Sequence, residues 1–271
     1  MRESSENTAG LGIALVGSGN VASSLGPMLK DAGCNICAVF SRTMANAALL
    51  AERLGAKAVD RIADLPEAGV CLTMLRDDVL MELAPEIVAQ CPDALFLHTS
   101  GSVPMSVWKD AGAARYGVLY PMQTLSKGKI PQRDRLPLFI EASDAETLLT
   151  VSALASAISD SVTELDSQQR GKMHLAAVFA TNFSNRMMTI SQQLLAEMGL
   201  EFGIMAPLLE EMVDKALTMT PAGSQTGPAA RGDGRVMDMH MKLLEDKPEW
   251  LEIYRLVSAD IQKDKQKQTL K

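Results

Sequence analysis

The sequence predicts an α/β protein, a doubly wound parallel (Rossmann) sheet followed by an all-α C-terminal domain. Three observations point there. Apolar runs alternate with helical stretches through the first half, a glycine-rich turn directly follows the first run, and the pattern becomes almost wholly helical from Asp166 onward. Strand–helix–strand alternation implies parallel strands with crossover helices.

The expected strands are residues 11–16, 34–40, 70–75, 94–99 and 116–119, with two more at 136–141 and 161–165. The first five are nearly continuous in apolar residues, as parallel strands covered on both faces should be. Helices are expected between them at 20–32, 43–54, 78–90 and 145–158, and Gly33 and Gly55 are good helix stops. Pro27 falls inside the first helix, where a kink is expected. Beyond Asp166, Ser167 is a plausible N-cap for an unbroken helix to Met198, ended by Gly199. Further helices are expected at 204–218, 235–245 and 249–263, with a turn-rich stretch at 220–233. The expected division is therefore a nucleotide-binding domain at 1–165 and a helical domain at 166–271.

Composition narrows the function. The 271 residues carry 26 Lys+Arg and 33 Asp+Glu, a net charge of −7. So acidic a chain is a poor nucleic-acid binder, because phosphate contacts need clustered basic residues. No apolar run is long enough to span a bilayer. The polar N-terminus lacks the apolar core of a signal peptide, so a cytoplasmic location is expected. Cys34 and Cys37 have a CxxC spacing on a predicted strand, where side chains three apart face opposite ways. They read as small buried residues, and no metal site is expected. The 17 methionines suit adaptable core packing or a subunit interface.

The strongest motif is Gly17-Ser18-Gly19-Asn20-Val21-Ala22, between a strand and a helix. Gly17 permits the tight turn, Gly19 lets the backbone approach a pyrophosphate, and Ala22 allows close helix–strand packing. The helix N-terminus then offers free N–H groups and a positive dipole end to the phosphates. The second strand ends in Ser41-Arg42-Thr43, with no acid to bind a ribose hydroxyl pair. Arg42 can instead grip a 2′-phosphate, which predicts NADP(H) over NAD(H). Leu75 and Thr99, at later strand ends, join the expected cofactor contacts.

In a doubly wound fold, ligands sit beyond the carboxyl ends of the strands. Ser100 and Ser102 flank a glycine there, either to bond a small polar group or simply to cap a turn, and His98 reads as a buried structural histidine. The long helix carries His174, Asn182 and Asn185. On an ideal helix Asn185 lies about 20° and Asn182 about 80° from His174, while Lys172 lies about 160° away. Histidine suits general-acid work near neutral pH. Arg231, in a glycine-rich loop, suits capture of a substrate carboxylate.

Five blocks, residues 13–22, 98–102, 120–124, 174–183 and 227–233, resemble the Rossmann-like proteins that carry a C-terminal domain of unknown function, DUF2520. That group is similar to F420-dependent NADP oxidoreductases, pyrroline-5-carboxylate reductases, ketopantoate reductases and β-hydroxyacid dehydrogenases. The resemblance implies an NADP-binding domain followed by a helical domain that often forms a homodimer interface. One departure stands out. β-Hydroxyacid dehydrogenases and ketopantoate reductases use Lys and Asn four residues apart on the long helix, whereas here Lys172 is followed by Ala176. His174 with Asn182 is the local substitute.

The expectation is an NADPH-dependent reductase of a small carbonyl or imine, such as the 2-oxo acid ketopantoate. His174, Asn182 and Ser100 are the catalytic candidates, and Ser102, Asn185 and Arg231 the substrate contacts. The rival expectations are a non-catalytic NADP-binding sensor or scaffold, and a reductase of a pyrroline-5-carboxylate-type imine or of F420.

Overall fold

The structure, a computed structural model, describes residues 12–269. Leu11, expected to open the first strand, and the polar N-terminal stretch lie outside the described residues. The chain forms two compact units, Met1–Ala180 and Thr181–Lys271.

The first unit is the doubly wound sheet. Its strands are β1 (Gly12–Val16), β2 (Asn35–Phe40), β3 (Lys57–Val59), β4 (Val70–Thr73), β5 (Leu95–His98), β6 (Arg115–Pro121), β7 (Leu138–Ala142) and β8 (Val162–Glu164), in spatial order β3-β2-β1-β4-β5-β6-β7-β8. Its helices are α1 (Asn20–Asp31), α2 (Met44–Leu54), α3 (Asp77–Gln90), α4 (Ser106–Asp110), α5 (Ala145–Ile158) and α6 (Ser167–Ala177). Strand order reverses between β1 and β4, which makes the crevice for a ligand at the carboxyl ends of the strands.

Two features of the sheet depart from the sequence-based expectation. The three-residue edge strand β3 has no counterpart among the expected strands. The sheet is also not wholly parallel, because β7 pairs antiparallel to β6, Leu119 opposite Ile140. No long crossover helix lies between β6 and β7, and without one the chain can only return antiparallel. The α5 crossover then restores parallel pairing of β8 on β7.

Alternation along each strand builds two cores. Ile13 and Leu15 of β1 face Leu25 and Leu29 of α1, with Val151 and Leu154 of α5 in the same cluster. Ala14 and Val16 face the other way, into a cluster with Leu80 and Ile87 of α3 and Trp108 of α4. α1 continues through Pro27 to Asp31. All four cysteines are free, and Cys37 falls where the β1–β2 register skips a residue.

α6 begins one residue away from the sequence reading. Asp166, not Ser167, is the N-cap, in a capping box with Gln169. Ser167 instead turns its hydroxyl to the Glu141 carboxylate on β7, at 2.9 Å from each oxygen. Arg170, almost wholly buried, forms an ion pair with that carboxylate and donates to the Val103 carbonyl at 2.5 Å. These bonds hold α6 to the sheet, so the first unit continues past the expected change at residue 166.

The expected unbroken helix is interrupted. A π-helical stretch, Val178–Phe183, separates α6 from α7 (Ser184–Ala196). The second unit contains α7, α8 (Ala206–Thr218), α9 (Pro221–Ser224), α10 (Pro228–Arg231), α11 (Gly234–Leu243) and α12 (Pro248–Thr269). Within it His240 Nδ1 and the Tyr254 hydroxyl are 3.1 Å apart. Among the described residues, no helix is long and apolar enough to cross a membrane.

Candidate functional site

Two neighbouring clusters of the first unit sit at the carboxyl ends of its parallel strands. One is the glycine cleft after β1. Gly17 has φ +127°, and a Cβ there would lie 2.4 Å from the Met74 carbonyl, so only glycine permits the approach of β1 to the chain after β4. Gly19, the N-cap of α1, makes no side-chain cap and has nothing within 4 Å of where a Cβ would stand. The first N–H groups of α1 are therefore left to a ligand.

Gly17, Ser18, Gly19, Ser41, Arg42 and Leu75, all expected cofactor contacts, line one cleft of about 190 Å³. Phe40, Met74, Arg76, Val79 and Leu83 complete its wall, and none of these five was among the expected cofactor contacts. Asn20 opens α1 and Val21 packs against the core beneath it. Thr43 is the N-cap residue of α2 and is exposed. Thr99 donates its backbone N–H to Thr73 O across the β4–β5 edge. This arrangement fits a dinucleotide. The turn gives a pyrophosphate a bare backbone and an uncapped helix end, and Arg42 offers a cation at the end of β2.

The second cluster gathers at the ends of β5 and β6. The Tyr120 hydroxyl and His174 Nδ1 are 3.1 Å apart, their rings meeting edge to face at 5.9 Å between centroids. Tyr120 also stacks on Phe139, and burial pushes its phenol above the usual range. Gly101 makes room for the imidazole: a Cβ there would lie 2.5 Å from His174 Nδ1 and 2.7 Å from its Cγ. His174 stands one turn beyond Arg170, so the buried Arg170–Glu141 pair fixes the helix that carries it.

The serines divide their work. Ser100 Oγ accepts from the backbone N–H of Ser102 at 3.1 Å and of Val103 at 3.0 Å, which is the work of a turn cap. Ser102 donates its hydroxyl to the carboxylate of Asp77, in the first turn of α3. His98 is fully buried, as the sequence suggested, and its Nδ1 accepts the Ser100 N–H at 3.2 Å. Burial, aided by the positive charge of Arg170, lowers its pKa to about 3, so it stays neutral.

Asn182, Asn185 and Arg231 belong to the second unit. Asn182 Oδ1 accepts from Thr181 at 2.9 Å, and Arg231 is exposed at the end of α10. An ideal α-helix would set both asparagines on the His174 side, but the chain is not one there. The π-helical stretch lies between His174 and Asn185 and includes Asn182, so an ideal α-helical spacing does not hold there. The partner that the structure does give His174 is Tyr120, which opens the 120–124 block of the sequence but was not among the expected site residues. Its position at the end of β6 was the available signal. Among the described residues, no group of three or more His, Cys, Asp or Glu could hold a metal ion.

The family model described as "Domain of unknown function (DUF2520)" matches residues 136–261. Among solved structures, the chain is similar to BF3122 of Bacteroides fragilis, a candidate NADP oxidoreductase. The two are 38% identical over 94% of this chain and 99% of that one, with a TM-score of 0.88. TM1727 of Thermotoga maritima is 23% identical over 95% of this chain and 99% of its own, with a TM-score of 0.72. An imine reductase of Myxococcus stipitatus in complex with NADP+ is 15% identical over 94% and 93% of the two chains, with a TM-score of 0.63. The last two likenesses are of fold. No curated protein matches the chain.

Proposed function

Because the chain belongs to the DUF2520 family, we propose that it is an NADPH-dependent reductase of a small carbonyl or imine, with His174 as its proton donor. The observation that carries this reading is the pairing of Tyr120 with His174 at the strand-end rim that also bears the glycine cleft.

Gly17, Ser18, Gly19 and the first turn of α1 would hold the pyrophosphate, and Ser41, Arg42 and Thr43 the 2′-phosphate. When bound, NADPH supplies a hydride to the substrate carbon. His174 delivers a proton from Nε2 to the substrate oxygen or nitrogen, and water returns one to the ring. A C=O thereby becomes an alcohol and a C=N an amine. A tyrosine hydroxyl both donates and accepts. Tyr120 can therefore keep Nδ1 bonded in either protonation state, leaving Nε2 as the nitrogen that exchanges. Ser100 shapes the turn beside the ring.

Asp77, a carboxylate on the same rim, favours a substrate nitrogen that is positively charged in the reacting form. A cyclic imine therefore stands beside ketopantoate in the first substrate set. The helical unit supports a homodimer. Leu208 and Met212, one turn apart on one face of α8, are 65% and 48% exposed, an apolar patch that a second copy would cover.

The test is calorimetric titration with NADPH and NADH, followed by an NADPH-consumption screen on 2-oxo acids and cyclic imines. NADPH should bind at least about tenfold more tightly than NADH, and Arg42→Ala should remove most of that preference. Absence of binding by either nucleotide would overturn the reading.

A further inference from the structure

A second arginine, besides Arg42, faces the cofactor cleft. Arg76 follows β4 as the N-cap residue of α3, and its side chain forms no cap. It lines the same cleft as Ser41 and Arg42. Its guanidinium is held by Asp78 through a two-pronged contact, Nε to Oδ1 at 3.2 Å and Nη2 to Oδ2 at 2.9 Å. Both side chains are open to water, 80% and 62% exposed. The two acids of that first turn point to different tasks, Asp77 to Ser102 and Asp78 to Arg76. Arg42 is also exposed and forms no ion pair among the described residues.

We infer that Arg76 is a second determinant of NADP(H) specificity, released by Asp78 to bind the cofactor's 2′-phosphate opposite Arg42. The inference rests on the NADP(H) reading of the cleft. Its physical basis is an exchange of partners. A solvent-exposed ion pair is weak and easily given up. A phosphate monoester carries more charge than a carboxylate and presents several oxygens to a guanidinium fork, so it is the stronger partner. Asp78 then acts in two ways. With no phosphate present it neutralises Arg76, and against a phosphate it competes for the same fork. NADH, with a bare ribose hydroxyl, has nothing to draw the arginine away. Discrimination between the two nucleotides thus draws on both arginines, contributed by β2 and by the turn after β4.

The experiment measures dissociation constants for NADPH and NADH by calorimetry on the full chain, in the wild type and in Arg42→Ala, Arg76→Ala, Arg76→Lys and Asp78→Asn. Thermal melts verify that each variant is folded. Arg76→Ala should weaken NADPH by about tenfold while changing NADH less than twofold. Arg76→Lys, which keeps the charge without the fork, should fall between. Asp78→Asn should tighten NADPH two- to fivefold, in line with the small worth of an exposed pair, and leave NADH unchanged. Equal weakening of both nucleotides in Arg76→Ala would make Arg76 only a wall of the cleft and overturn the inference. So would no tightening in Asp78→Asn. The two levels fail differently. Equal affinities for NADPH and NADH in the wild type would end the NADP(H) reading itself. A wild-type preference lost in Arg42→Ala yet intact in Arg76→Ala would end only the role of Arg76.

Discussion

The Tyr120 hydroxyl lies 3.1 Å from His174 Nδ1, a bond between the end of a central strand and a helix 54 residues later in the chain. If Tyr120 acts only through His174, the two substitutions should not add. His174→Ala should lower kcat by a hundredfold or more, the scale of lost general-acid catalysis. Tyr120→Phe should lower it by about tenfold, or about 1.4 kcal/mol in barrier height. The double variant should be no slower than His174→Ala alone, because the tyrosine then has nothing left to position. NADPH affinity should stay within about twofold in all three, because neither side chain lines the glycine cleft. Steady-state kinetics beside calorimetry tests this, and multiplicative losses would separate the two residues.

Gly101 offers an independent way to disturb the same ring. The Cβ of an alanine would stand 2.5 Å from Nδ1, 2.7 Å from Cγ and 2.9 Å from Cβ of His174. The imidazole must then leave its place against Tyr120. Gly101→Ala should therefore cost as much activity as Tyr120→Phe or more, with NADPH binding retained. A variant as active as the wild type would show that the ring position does not matter to the reaction.

The anchoring of α6 makes a stability prediction. Glu141 and Arg170 are 10% and 1% exposed at their side chains, and Arg170 has no other acid as partner among the described residues. Glu141→Gln leaves a buried guanidinium without its counter-charge, a change worth about 3–5 kcal/mol. Replacing both by methionine removes the stranded charge together with the pair, so the double variant should unfold at higher denaturant than Glu141→Gln. Urea melts of the three proteins decide it. A double variant less stable than the single one would mean that the pair stabilises the fold by more than it costs to bury.

Sequence pattern reaches some of these features and not others, for physical reasons. The parallel strands are legible because both of their faces are covered, which leaves unbroken apolar runs such as Ala14, Leu15 and Val16. The cofactor cleft is legible because its chemistry is local, with Gly17 and Gly19 in one turn and Arg42 at the next strand end. β3 is not, since three residues at a sheet edge leave too short a pattern to stand out. The direction of β7 depends on what lies between two strands rather than on either strand. The π-helical stretch also escapes, because Val178-Phe-Ala-Thr-Asn-Phe183 reads as ordinary helix and no proline or glycine marks it. The Tyr120–His174 bond is set by strand order and by the small volume of Gly101, and neither appears in local spacing.

His98 ties the stability of the first unit to pH. Burial, and after it the charge of Arg170, lowers its pKa from 6.5 to about 3. In the unfolded chain the same ring protonates near pH 6.5. A folded-state value below the unfolded one means that protons favour the unfolded chain. The stabilisation is full above pH 6.5 and is lost as pH falls from there toward about 3. Each pH unit in that window costs about 1.4 kcal/mol, so the loss across it is on the order of several kcal/mol. His98→Gln keeps an acceptor for the Ser100 N–H but does not titrate. It should be less stable than the wild type at pH 8, because the fit around the ring is lost, yet it should lose less stability between pH 6.5 and pH 4. Urea midpoints across that range provide the comparison. Parallel acid slopes in the two proteins would mean that His98 is not the group that titrates, and that the acid sensitivity lies with the carboxylates.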